Sequence, residues 1–145
     1  MTCFFDTSVL VAALLWRQEG HEDALAWLNR ARNGEFSWAV AAHSLAEFYS
    51  TLTGMPPPYR RPPDRVIRLL QDDVIGGGAN VVSLSPTEYL SVIGQMAKLG
   101  VTGGAIYDAL IAFTAQKAKA DKLLTFNIDH FKRVWPEGVE RIVAP

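Results

Sequence analysis

The chain is poor in sulfur and histidine and carries no surplus of either charge. Cys3 is the single cysteine in 145 residues, so no intramolecular disulfide can form, and a reducing compartment suits the composition. The three histidines, His21, His43 and His130, lie far apart and show no zinc-ligand spacing. No apolar run approaches the roughly 18 residues of a membrane span, and no basic-then-apolar leader opens the chain, since an acid already stands at position 6. A cytoplasmic protein with no membrane partner is therefore expected. The formal net charge of −1 argues against a protein that coats nucleic acid, because such proteins are basic. It does not exclude an enzyme acting on nucleic acid, since a carboxylate-lined site subtracts charge locally. Gly76-Gly77-Gly78 lacks the lysine and spacing of a phosphate-binding loop and reads as a helix stop.

What is present is an ordinary globular composition, 49% hydrophobic and 20% charged. The length suits one domain over residues 1–145 with a core of its own. Short apolar runs at Thr2–Phe5, Phe36–Val40, Val81–Leu84, Lys122–Thr125 and Arg141–Val143 read as strands. Helical patterns lie between them. One follows Thr7-Ser8, which can cap it, with Val9, Leu10, Ala13, Leu14 and Trp16 as its apolar side. Others run from about His21 to Arg32, Ser44 to Leu52, Pro63 to the triple glycine, Ser85 to Leu99, Gly104 to about Ala120, and Asp129 to Trp135. The stretch Gly54 to Pro63 holds five of the eight prolines and must be a loop. Strand and helix alternate, which predicts a three-layer α/β/α sandwich around a mostly parallel sheet of about five strands. No internal repeat or low-complexity segment interrupts it.

Open α/β sheets place their sites at the carboxyl ends of the strands. Asp6 ends the first strand, Glu47 follows the second, and Thr125-Phe126-Asn127-Ile128-Asp129 follows the fourth. Asp108 lies in a helix and shares a face with Ala105, Ala109 and Ala112. An acid on a face of small apolar residues is costly to bury ionised and unpaired. Glu47, among Leu45, Ala46, Phe48 and Tyr49, invites the same reading. Three buried-looking acids without basic neighbours in sequence suggest a shared cation, and oxygen ligands favour Mg²⁺ or Mn²⁺ over zinc. Such an ion activates water and stabilises charge on a phosphodiester. Taken singly, Asp6 could be a helix cap and Glu47 the partner of a distant arginine. Arg60, Arg61, Arg65 and Arg68 could be a solvated face or an RNA-backbone clamp. Trp16, Trp27, Trp38 and Trp135 read mostly as core or interface by their spacing, and one of them could stack a base, though nothing in the sequence picks it out.

Four segments in order resemble the motifs of PIN-domain nucleases: Asp6-Thr7-Ser8-Val9-Leu10, Leu45-Ala46-Glu47-Phe48-Tyr49, Tyr107-Asp108-Ala109-Leu110, and Leu123 through Phe131. The similarity spans essentially the whole chain, and the length matches the single-domain VapC toxins. It implies a Mg²⁺-dependent endoribonuclease, a cognate VapB-like antitoxin and a homodimer. It also implies that Asp6, Glu47 and Asp108 are the family's metal-binding acids and that Asn127 takes the fourth position. Asp129, two residues on, could supply the missing charge there through a water. Two other classes compete. A phosphatase with Asp6 as nucleophile would need a second acid where Ser8 stands. A low-turnover binding module could act through a DNA-bound antitoxin complex.

Overall fold

Five short parallel strands set the frame. The computed structural model describes all 145 residues. The strands are β1 (Thr2–Phe5), β2 (Ser37–Ala41), β3 (Asn80–Val82), β4 (Lys122–Leu124) and β5 (Ile142–Val143), in the order β3-β2-β1-β4-β5. Every pairing is parallel. A sheet of this kind must be covered on both faces, and strand alternation divides its side chains accordingly. Cys3, Phe5, Trp38, Val40 and Leu124 enter one core, while Phe4, Ala39, Ala41, Leu123 and Ile142 enter the other.

The first core is closed by α1 (Thr7–Leu14), α2 (His21–Arg32), α3 (Ala42–Gly54) and α4 (Pro63–Leu69), the last running on into a π-helical turn at Leu70–Ile75. The second is closed by α5 (Pro86–Lys98), α6 (Ala105–Lys117) and α7 (Ile128–Val134). Ser85 and Glu88 form a reciprocal capping box at the start of α5, with Pro86 as the first helical residue. No helix is long and apolar enough to cross a membrane.

The α/β sandwich expected from the pattern is therefore the observed one, with every strand parallel. The differences lie at element ends. Strand β2 starts at Ser37, because Thr2 of β1 pairs there, and passes into α3 without a loop, two residues before the expected Ser44. Trp16 was expected on the apolar side of α1. The helix ends at Leu14, Leu15 is extended, and Trp16 is 66% exposed. Helical periodicity does not reach a residue beyond the last turn.

Phe48 is fully buried in the first core, on the turn of α3 that carries Glu47. Phe48→Ala should lower unfolding free energy by about 3–5 kcal/mol, and loss of the exposed Ser85 cap in Ser85→Ala by only about 1 kcal/mol. Urea denaturation of the two variants checks the ranking.

Candidate active site

The chain reverses its winding direction between β1, the central strand, and its neighbour β4. Crevices of open α/β folds lie at such a switch point, beyond the carboxyl ends of the strands. Asp6 and Thr125 are the residues immediately past β1 and β4. The Asp6 N–H still donates to Leu124 O (3.0 Å), and the Thr125 N–H to Val143 O (3.0 Å). Their side chains therefore meet with the precision of the sheet rather than of a loop.

Asp6 is 3% exposed. It occupies the N-cap position of α1, yet its carboxylate caps nothing. Instead Asp6 Oδ2 accepts from Ser8 Oγ (2.8 Å) and from Thr125 Oγ1 (2.8 Å). Those hydroxyls accept in turn from the Phe126 N–H (3.2 Å) and the Asn127 N–H (3.0 Å). None of the chain's ion pairs includes Asp6. Burial pushes its pKa up from 3.8 to about 6. The Ser8, Thr125 and Thr7 hydrogen bonds offset part of that rise, and the charge of Asp108 adds to it.

Glu47 and Asp108 reach the same space from α3 and α6. Their side chains are 33% and 27% exposed, so Glu47 is not the buried acid its apolar neighbours suggested. Ala46 and Tyr49 face solvent, and only Phe48 of that group is fully buried. Burial raises the Asp108 pKa and Glu47 adds to the rise, while His130 opposes it. The expectation of acids without basic neighbours also needs correction. His43 Nε2 lies 2.7 Å from Glu47 Oε1, and His130 Nδ1 lies 3.8 Å from Asp108 Oδ2. The first is a close polar contact without the alignment of a hydrogen bond, and the second is too long for one. His43 precedes Glu47 by four residues, a helical spacing that could have revealed it. The approach of His130 depends on how α7 packs and leaves no local trace.

A cavity of about 810 Å³ brings together Asp6, Glu47, Asp108 and Asn127. It also takes in Glu19 and Asp23, two acids that sequence reasoning missed. They come from the turn between α1 and α2 and the first turn of α2. No lysine, arginine or histidine lines the cavity, and neither does Asp129. Phe126 closes one side. Its ring lies so close to Gly20 that a Cβ there would stand 2.5 Å from Phe126 Cζ, and Gly20 has φ +76°, so glycine is required on both counts.

These residues fit a divalent cation by their chemistry. The donors are oxygens, Asp108 raises the Asp6 pKa and Glu47 that of Asp108, and no cationic side chain lines the cavity. Thr7 lines the same cavity with its Oγ1 buried and unpartnered. No three His, Cys, Asp or Glu side chains close around one point. An ion that keeps several waters and uses one or two carboxylates, as Mg²⁺ does, suits so open a set.

Comparison with known proteins shows the family and the fold. The PIN domain family model matches residues 3–135. The chain is similar to Ribonuclease VapC40 of Mycobacterium tuberculosis (strain ATCC 25618 / H37Rv), 43% identical over 120 residues that cover 83% of this chain and 82% of the relative. It is also similar to Ribonuclease VapC27 of the same strain, 34% identical over 116 residues covering 80% and 78%. Among solved structures, VapBC2 from Rickettsia felis bound to a DNA fragment from their promoter matches with a TM-score of 0.64. At 20% identity over 92% of each chain, that likeness speaks for the fold.

Asp6 makes the metal-free protein's stability depend on pH. Unfolded, the carboxyl loses its proton near pH 4; folded, near 6. Between these values the folded chain binds more protons, so stability falls as pH rises. In chelator, Asp6→Asn should gain on the wild type from pH 4 to 7 by up to about 3 kcal/mol. Parallel pH profiles of thermal unfolding for the two proteins would contradict this.

Proposed function

The chain belongs to the PIN domain family as a VapC-type member, and on that premise we propose that it is a metal-dependent endoribonuclease toxin restrained by a cognate VapB-like antitoxin. The observation that carries the reading is the cavity at the switch point, where Asp6, Glu47 and Asp108 converge with no cationic side chain among them. Mg²⁺, or Mn²⁺ in its place, supplies Lewis acidity toward the phosphate and lowers the pKa of water when bound.

The chain's own groups divide the remaining work. Asp6 and Asp108 are the direct ligands, and Asp6 is held for that role by Ser8 and Thr125. Glu47 completes the site or positions the water that attacks phosphorus in line with the leaving oxygen. Asn127 contributes a neutral amide at the rim and orients without adding charge. The nucleophile is water rather than Asp6. Both hydroxyls converge on Asp6 Oδ2, and Ser8 stands where an aspartyl-phosphate enzyme needs its second acid.

RNA must enter an acidic cavity, so cations have to come from the ion and from the rim. Arg60 is suitably placed. Its Nε donates to the carbonyl of Met55 (2.9 Å), and Met55 lines the cavity. Arg61 turns back onto loop carbonyls and Arg68 pairs with Asp64, which leaves them less free to clamp a backbone. A homodimer belongs to the same reading. Helix α5 leaves Tyr89, Leu90 and Ile93 exposed, an apolar face of the kind that marks interfaces.

Purified protein should cleave RNA in Mg²⁺ or Mn²⁺ and stop in chelator. Asp6→Asn should lose more than about a hundredfold in rate, beyond what loss of a supporting contact costs at metal sites, with its circular dichroism unchanged. Cleavage that survives chelator or the Asp6 substitution would overturn the site. In a growing cell, expression should arrest growth, and Asp6→Ala or co-expression of the antitoxin should restore it. Indifference of growth to the wild type would favour a binding module instead.

A further inference from the structure

Two aromatic side chains link the helices that carry Glu47 and Asp108. His43 lies one turn before Glu47 on α3, and Tyr107 immediately precedes Asp108 on α6. Their rings are stacked, with centroids 5.3 Å apart and planes 6° from parallel. The same imidazole reaches Glu47, with Nε2 2.7 Å from Oε1. A carboxylate offers no hydrogen, so a contact this close is attractive only with the hydrogen on Nε2.

Glu47, Thr51 and Met55 recur at i, i+4 and i+8 and all line the acidic cavity. His43 continues that stripe by one turn but does not line the cavity. It therefore meets the site through Glu47 and not as a ligand. A glutamate one-third exposed on a helix has several rotamers open to it. One short polar contact to a ring that is itself stacked against a second helix selects among them. As a contribution to helix stability alone, an i,i+4 pair adds little. The link to Tyr107 gives this pair a different task, because it ties the Glu47 carboxylate to the helix that bears Asp108.

We propose that His43 is a positioning residue: stacked flat on Tyr107, it fixes the Glu47 carboxylate in the orientation from which it completes the divalent-cation site of Asp6 and Asp108. This rests on the metal-dependent reading given above. Outer partners of this kind orient ligands at metal sites, and their loss typically costs 10–100-fold in metal affinity or activity.

The test is Mn²⁺ binding, followed by loss of the free-ion electron paramagnetic resonance signal, on full-length wild type, His43→Ala, His43→Gln and Tyr107→Ala. Steady-state RNA cleavage is measured alongside. His43→Ala should bind Mn²⁺ about tenfold more weakly and lose kcat, with KM for RNA unchanged. His43→Gln retains an N–H donor at similar reach and should recover most of the affinity. Tyr107→Ala should shift binding in the same direction by a smaller factor. Unchanged Mn²⁺ affinity in His43→Ala, or a glutamine variant as weak as the alanine one, overturns the proposal. If His43→Ala loses its helical circular dichroism, Tyr107→Ala decides in the same way. Wild type that binds Mn²⁺ but leaves RNA intact overturns the nuclease reading alone, and the binding series still decides on His43. Wild type that binds no Mn²⁺ overturns both.

Discussion

The cavity is organised around one carboxylate that has been withdrawn from water without a cation to balance it. Asp6 keeps two hydroxyl donors and no ion pair, and burial outweighs the hydrogen bonds in setting its proton affinity. A group in that condition either holds a proton or attracts a metal. Asp108, also partly desolvated and also facing an acid, is in a milder form of the same condition. Asp108 adds to the cost at Asp6 as Glu47 does at Asp108, so a divalent ion bound between them would relieve both. The site is in this sense prepared by what it lacks.

The sheet makes so costly an arrangement tenable. Asp6 follows the central strand, flanked by β2 and β4, and the side chains on either face of that strand are fully buried. The carboxylate thus sits on a rigid part of the molecule, where a change in its position would disturb pairing on both sides. Hydroxyls from the first turn of α1 and from the residue just past β4 reach it, 2 and 119 residues away in sequence. Backbone amides of residues 126 and 127 fix those hydroxyls in turn. The loop after β4 is held from two directions, by this relay and by the contact of Phe126 with Gly20.

Much of this was legible before any coordinates. Apolar runs marked all five strands, because strands buried on both faces need no polar alternation. The end of β1 at Asp6 followed from the abrupt change in character after Phe5. Boundaries failed where two elements join without punctuation, as at Ala41 and Ala42, since no glycine, proline or capping side chain announces the change. Burial of Glu47 was misjudged because sequence neighbours on a helix point in different directions, and Ala46 and Tyr49 point outward. Asp23, Glu19 and His130 reach the acids only through tertiary packing, which local sequence cannot encode. His43 lay at a readable spacing, but the question put to the histidines concerned metal ligation, and its partner is a carboxylate.

The unpaired burial of Asp6 also bears on how such a chain evolves. Asparagine there would remove the charge while keeping an oxygen for the Ser8 and Thr125 hydroxyls, so the substitution that abolishes a metal ligand would relieve a desolvation cost instead of impairing the fold. Most lineages lose an enzyme by drifting through poorly folded intermediates that cells degrade. Here the path to an inert protein runs downhill in free energy and leaves a sound fold behind. Only selection for the activity itself keeps the acid in place, and silent, well-folded descendants should accumulate wherever that selection lapses.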